Sequence, residues 1–211
     1  MSKILIIGGT GYTGGNIARE AVGRGHTVTS FSRSAANDPI DAVDYVHGDG
    51  DDASRLVADH DVVVATLAPR GDTAGRVRGL YESYAAAAAE AGARLIAIGG
   101  FSSLRPAPGA PRIAEGDVPE QFRAEALEMD GIREWLATSA PESLNWTFVS
   151  PAGSYGSFAP GSRTGAYRLG GEVARFDANG ESQISGEDFA IAIVDEIEAA
   201  AHPREHISVA Y

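Results

Sequence analysis

The chain has no cysteine and a single lysine, Lys3, among its 17 basic residues. The first absence excludes disulfides, thiolate nucleophiles and thiolate-bound metals. The second removes a common helper of proton transfer, an ammonium beside a hydroxyl. Positive charge is scarce overall: 29 acidic residues leave a formal net charge of −12. The chain therefore lacks the basic face with which proteins displace counterions from nucleic acid, and solubility is the plain reading of the acidic surplus. Five histidines, His26, His47, His60, His202 and His206, are scattered along the sequence. Only His202 and His206 stand four apart, and Pro203 between them works against a helical metal-binding pair. Long apolar runs are also missing. Met1-Ser2-Lys3 leads directly into Ile4–Ile7, a stretch too short to span a bilayer and without a signal-peptide cleavage region. A cytoplasmic protein with no membrane or nucleic-acid partner is expected.

What is present is an alternation of short apolar runs with helical stretches. Ile4–Ile7, His26–Phe31, Val43–His47, Val62–Ala65, Leu95–Ile98 and Leu144–Val149 read as buried strands. Thr13–Arg24, Ala53–Ala58 and Ala74–Ala91 read as helices, with Gly23, Gly25 and Gly92 as stops. Pro119 opens a further helix as its first residue, with Phe122, Ala126, Met129, Trp135 and Leu136 on the inner stripe. Ser185 to Asp188 has the form of a capping box before a last helix with Phe189, Ile193 and Ile197 inward, and His206–Ala210 closes as a strand. This is the pattern of an α/β protein with a Rossmann-like, doubly wound parallel sheet, helices on both faces and a small C-terminal substrate-side extension.

With 211 residues, 44% of them hydrophobic, one domain over residues 1–211 is expected. Within it, residues 151–185 form a substrate-side loop region, where Ala166–Leu169 and Ser182–Ile184 are expected to pair as short strands. Phe101–Pro119 carries Pro106, Pro108, Pro111 and Pro119, a long irregular segment of the kind that is functional or mobile.

The first strand runs into Gly8-Gly9-Thr10-Gly11-Tyr12-Thr13-Gly14-Gly15. Gly9 to Gly14 spells G-x-G-x-x-G, and Gly8, Gly11 and Gly14 are also spaced by three. The first glycines permit a tight turn, Gly11 clears the place of a pyrophosphate, and Gly14 lets the helix pack on the sheet. The amides of the helix N-terminus then face the anion. At the end of the second strand, where a NAD site carries an acid for the ribose hydroxyls, the sequence reads Ser32-Arg33-Ser34, with no acid before Asp38. Arg33 has the planar donor set for a 2′-phosphate, and Ser32 and Ser34 could add hydroxyl donors to the cofactor, so NADP(H) is favoured over NAD(H). A surface arginine after a strand is the plainer alternative.

These segments resemble the atypical short-chain dehydrogenases, and more narrowly the small NAD(P)H-binding proteins grouped with NADH-flavin reductases, biliverdin-IXβ/flavin reductases and NmrA-like proteins. The likeness rests on Gly8–Gly15, Ser32-Arg33, Gly48-Asp49, Ile98-Gly99-Gly100 with Ser102-Ser103-Leu104, and Ser150-Pro151. Gly161–Arg168 and Ile184–Ala190 complete it. The resemblance implies that Gly8, Thr10, Gly11, Tyr12, Thr13 and Gly14 hold the cofactor. Asp49 and Gly50 would border the adenine, Ala65, Thr66 and Leu67 line the cofactor, Gly99, Gly100 and Ser102 approach the nicotinamide, and Ser150 and Pro151 flank its ribose. For Asp49 a solvated acidic turn, Gly48 to Asp52, is an equal alternative.

Short-chain dehydrogenases of the usual kind use a Tyr-x-x-x-Lys pair. Tyr81 and Tyr84 are followed at that spacing by Ala85 and Ala88, and Lys3 lies at the far end of the first strand. The pair is absent, which counts against alcohol dehydrogenase and epimerase chemistry. Hydride transfer to a flavin or small quinone does without it, because the acceptor is its own electron sink and solvent supplies the proton. FMN or FAD would then be a substrate and not a prosthetic group. Phe101, Tyr155, Phe158 and Tyr167 stand in the loops over the carboxyl ends of the strands, as pocket aromatics or as packing. Ser102 is the candidate for orienting a substrate carbonyl or the nicotinamide amide; no residue stands out as a general acid. Two rivals remain: a non-catalytic NADP(H) sensor of NmrA-like type, and a nucleotide-sugar epimerase or dehydratase. The expected partner is a small-molecule electron acceptor, the expected state a monomer or homodimer.

Overall fold

The computed structural model describes all 211 residues. Eight strands form one sheet in the order β3-β2-β1-β4-β5-β6-β8-β7. The strands are β1 Lys3–Ile7, β2 Thr27–Ser32, β3 Val43–His47, β4 Val62–Ala65, β5 Arg94–Ile98, β6 Trp146–Pro151, β7 Arg168–Gly170 and β8 Glu205–Ala210. All neighbours pair in parallel except β7, which lies antiparallel on β8. The helices are α1 Tyr12–Gly23, α2 Val77–Ala91, α3 Glu120–Thr138 and α4 Gly186–Ala199.

The continuous apolar runs have a direct cause: a parallel sheet covered on both faces buries every residue of its central strands, and side chains alternate between the faces. Leu5, Ile7, Val63, Ala65, Leu95 and Ala97 join one core with α2 and α3. Ile4, Ile6, Val62, Val64, Ile96 and Ile98 join the other with α1 and α4. The two cores hold 23 and 22 buried residues, so neither face is an afterthought.

Several boundaries differ from the expectation. The short helix expected at Ala53–Ala58 is a longer 3-10 segment, Gly50–Asp59, which tucks Ala53 and Val57 beneath α2. The helix expected from Ala74 begins at Val77, because Gly75 has a φ of +75° that a helix excludes. Pro119 precedes α3 as its cap and not as its first residue. Phe122 is 51% exposed and lies off the inner stripe, which runs instead through Ala126, Met129, Ile132 and Leu136. Ala166–Leu169 and Ser182–Ile184 do not pair with each other. Arg168–Gly170 pairs with β8, covering an edge that would otherwise stay open, and the Ser182–Ile184 stretch is taken by Ser154.

The last helix starts as expected, with Ser185 Oγ accepting from the Asp188 amide at 3.0 Å. Ser185→Ala is expected to cost about 1 kcal/mol through loss of that cap. Urea denaturation would show it as a lower midpoint at unchanged slope, and an unshifted midpoint would refute it.

Candidate functional site: the cleft at the sheet switch point

From β1 the chain winds outward to β2 and β3, then returns past β1 to β4. The crevice at the carboxyl ends of β1 and β4 is where open α/β sheets bind ligands. The Gly8–Gly15 loop fills this place. Gly8 turns with a φ of +87°, and its amide donates to Phe31 O at 2.8 Å. Gly11 N returns to Gly8 O at 3.0 Å. A Cβ on Gly14 would stand 2.4 Å from Gly8 O and 2.6 Å from Gly9 Cα, so the helix approaches the loop as closely as backbones allow. A Cβ on Gly11 would meet only Gly8 O, at 3.2 Å, and otherwise point outward.

Helix α1 has no side-chain cap and no acidic residue in its first turn. The amides of Tyr12, Thr13 and Gly14 find no acceptor within the protein. Orphan amides at an uncapped helix start, beside glycines that clear the approach, form an anion seat. These residues suit a dinucleotide pyrophosphate.

Around this seat lies a cleft of about 320 Å³. Nine of the residues expected to hold the cofactor line it together: Gly8, Thr10, Gly11, Ser32, Arg33, Asp49, Gly50, Thr66 and Leu67. Their individual contacts refine their roles. Ser32 Oγ donates to Phe31 O at 2.7 Å and accepts from Thr10 N at 3.1 Å, so it ties the glycine loop to β2. Thr66 Oγ1 donates to Ile7 O at 2.9 Å, joining the ends of β4 and β1. The Asp49 amide donates to the Asp52 carboxylate at 3.2 Å, at the start of the 3-10 segment. Ala65 is buried in β4, with its carbonyl accepting from Tyr81 Oη at 2.9 Å.

The segment between β4 and α2 supplies lining that carries no sequence motif: Ala68, Arg70, Asp72, Thr73 and Arg76. Three arginines thus border the cleft, each held by an acid. Arg33 pairs with Asp72 at 3.2 Å, Arg76 with Asp51 at 2.8 Å, and Arg70 with Glu125 at 2.7 Å. Arg33, Arg76 and their acids are all more than half exposed, so those two pairs are weak and exchangeable, whereas Arg70 grips the largely buried Glu125 with two bonds, at 2.8 and 2.7 Å.

The remaining expected residues lie outside this cleft. Thr13 Oγ1 meets Tyr155 Oη at 2.9 Å, and the Tyr155 ring packs against Tyr12 and Phe189. Burial raises the Tyr155 hydroxyl above its ordinary pKa, so it stays protonated. Phe158 is 78% exposed. Gly99 is required by packing, since a Cβ there would stand 2.1 Å from the Phe148 ring, whereas Gly100 faces open space. Phe101 and Ser102 sit in a 3-10 turn after β5, with Phe101 edge-on to Phe176.

Ser150, beside Pro151 at the end of β6, meets His206 Nε2 at 2.9 Å, and Arg112 Nη1 faces His206 Nδ1 at 3.5 Å. Burial, with Arg112, Arg133 and Arg105 nearby, pushes the His206 pKa down to about 3, so the ring is neutral near pH 7. A guanidinium only donates; His206 Nδ1 is therefore the acceptor, and Nε2–H donates to Ser150.

The tyrosines that resemble half of a catalytic pair are structural. Tyr81 Oη lies within hydrogen-bond reach of the carbonyls of Ala65, Leu67 and Ile98, and Tyr84 Oη donates to Gly50 O at 2.8 Å. Burial raises both hydroxyls well above their ordinary range. Lys3 opens β1, at the end of the strand opposite to the glycine loop.

No helix is long and apolar enough to cross a membrane. Residues 8–200 match the NAD(P)H-binding family. Three solved structures are similar along nearly their whole length. A Burkholderia pseudomallei protein, whose name proposes that it is exported, is 35% identical, with 100% of each chain covered and a TM-score of 0.86. A Streptococcus pneumoniae protein, whose name proposes an NADH-flavin reductase, is 30% identical over 100% of this chain and 99% of that one, with a TM-score of 0.84. A Bacteroides thetaiotaomicron protein, whose name proposes an epimerase, is 29% identical over 99% of this chain and 96% of that one, with a TM-score of 0.87. A glycine loop at the switch point of a doubly wound sheet, matched across nearly the whole chain, identifies this protein as a member of the NAD(P)H-binding family.

Proposed function

We propose that the protein is an NADPH-dependent reductase that passes hydride to a flavin or a small quinone. The observation that carries the cofactor choice is the lining of the cleft beyond the glycine loop. No acid stands at the end of β2, and Arg33, Arg70 and Arg76 border the same space. The guanidinium groups of Arg33 and Arg76, held by exposed and exchangeable acids, can turn to a 2′-phosphate. In this reading the glycine-loop amides seat the pyrophosphate, Asp49 and Gly50 border the adenine, and residues 99–102 and 150–151 face the nicotinamide. The 151–185 region forms the acceptor side of a single domain.

When bound, the cofactor supplies a hydride. The acceptor takes that hydride together with one proton from solvent, leaving NADP⁺ and the two-electron-reduced acceptor. The protein's part is to align the two rings and to exclude water between them. With its only lysine at the amino end of β1 and Tyr81 and Tyr84 buried, the chain has no pair suited to carbonyl reduction or sugar epimerisation. A reductase consuming NADPH works where that cofactor is regenerated, which points to the cytoplasm.

The test is NADPH and NADH oxidation with FMN, FAD, riboflavin and a small quinone, beside titration of each cofactor. Acceptor-dependent turnover with a preference for NADPH is expected. Arg33→Ala should reduce that preference about tenfold, the scale of one exposed charge-assisted contact. Tight NADPH binding without turnover on any acceptor would move the reading to a sensor. Absence of binding by either nucleotide would overturn both.

A further inference from the structure

With Lys3 the one lysine among 17 basic residues, the other sixteen are arginines. Fifteen of them meet a carboxylate or a carbonyl; Arg175 alone meets nothing. Its Nε is shielded from water and has no hydrogen-bond partner. In a chain with 29 acidic residues an unpaired guanidinium is not for want of acids. A shielded donor left without an acceptor costs free energy, and the two Nη groups beside it, which are not shielded, are likewise unpaired and open to a ligand.

The surroundings of Arg175 say what that ligand is. The guanidinium lines a cleft of about 300 Å³ together with Gly170, Val173 and Phe176. Gly170 makes room for it: a Cβ there would stand 2.6 Å from Arg175 Nε. Val173 O accepts from Ser208 Oγ at 3.1 Å, and Val173 also bridges to Arg105, so this segment crosses the carboxyl ends of β8 and β5. Phe176 is 43% exposed, and its ring meets Phe101 edge-to-face at 6.3 Å. Phe101 belongs to the turn directly after β5. One unpaired cation and one exposed ring therefore line the cleft, and Phe101 backs that ring from the turn after β5, at the end of the sheet to which the glycine loop also opens.

We propose that Arg175, Phe101 and Phe176 form an acceptor subsite for a planar ring that carries an anionic group, so that a phosphate-bearing flavin is preferred over its neutral parent. The rings give the isoalloxazine a face or an edge to pack on, and the guanidinium pairs with the phosphate. This deepens the reductase reading and rests on it.

FMN and riboflavin share the ring and differ in the phosphate, which makes them the matched probes. Quenching of flavin fluorescence on NADP⁺-loaded protein reads binding without turnover, and initial rates with NADPH run beside it. FMN should bind about tenfold tighter than riboflavin, the scale of one charge-assisted contact. Arg175→Ala should collapse that ratio to near one, and Arg175→Lys should keep part of it. Circular dichroism and an NADPH titration establish that each variant is folded. Equal binding of the two flavins, a ratio that survives Arg175→Ala, or no flavin binding at all would overturn the subsite. FMN binding that depends on Arg175 without reduction of either flavin or of a small quinone would uphold the subsite and sink the reductase reading.

Discussion

Glu196→Ala is expected to destabilise the protein by about 3–5 kcal/mol, the cost of leaving a buried charge without its partner. Glu196 is 4% exposed and Arg94 6%. The Glu196 carboxylate accepts from Arg94 Nη2, from the His202 amide at 3.1 Å and from His202 Nδ1 at 2.6 Å. Arg94 also donates to Glu196 O at 2.7 Å and to Thr147 Oγ1 at 2.7 Å. One guanidinium thus joins α4 to β5 and β6, and removal of the carboxylate strands it in the core. Against a total of roughly 5–15 kcal/mol the loss is a large share. A denaturant midpoint lowered by less than about 1 kcal/mol equivalent would refute it. Replacing both members together, Arg94→Met with Glu196→Leu, should recover much of the loss, because no lone charge remains.

The same pair sets an acid limit. Burial alone would raise the Glu196 pKa, but the bonds from His202 and Arg94 outweigh it and hold the carboxyl below its ordinary value. A depressed folded-state pKa gives stability that is fully present above the unfolded value of 4.5 and is lost as pH falls through the lower folded value. The gap between wild type and Glu196→Ala should therefore narrow below about pH 4.5 and not above it.

Gly14→Ala is expected to weaken NADPH binding about a hundredfold, equivalent to about 3 kcal/mol. The added Cβ would lie 2.4 Å from Gly8 O and 2.6 Å from Gly9 Cα, both backbone, so the helix and the loop must part. The amides of Tyr12, Thr13 and Gly14 then leave the positions in which they form a common anion seat. Gly15→Ala is the matched control: its nearest neighbour would be Gly9 O at 3.7 Å, an ordinary contact. That variant should bind NADPH normally and gain about 0.5–1 kcal/mol of helix stability. Equal affinities for the two variants, by isothermal titration, would show that close helix–loop approach is not what positions the amides.

Much of this architecture is legible in the amino-acid sequence itself. The apolar runs in β1, β4 and β5 announce strands buried on both faces, and their placement in two cores follows from alternation alone. The glycine loop and the Ser185 cap are local devices, so local spacing reveals them. What stays hidden depends on distant partners. Arg70 and Arg76 lie in a segment without a motif, and only the return from β4 toward α2 brings them beside Arg33. Ser32 reads as a free hydroxyl, yet its bonds to Phe31 and Thr10 make it a tie within the loop. Gly99 reads as a cofactor approach, but Phe148, from the next strand of the chain, has a packing claim on it. Arg175 stands out only by elimination, once every other arginine has its partner.

The order β6-β8-β7 has a consequence for how the protein is made. β7 leaves the ribosome before β8, yet β8 lies between it and β6. Until β8 emerges, β6 presents an open edge and β7 has nothing to pair with. The nascent chain therefore carries exposed strand edges late into synthesis, the condition under which chaperone capture and intermolecular pairing compete with folding. The final insertion joins Thr147 to Glu205 and Pro151 to Val209, contacts distant in sequence and slow to form. The cleft around the glycine loop, whose lining ends at Leu80, is complete in sequence long before the sheet that supports it can close.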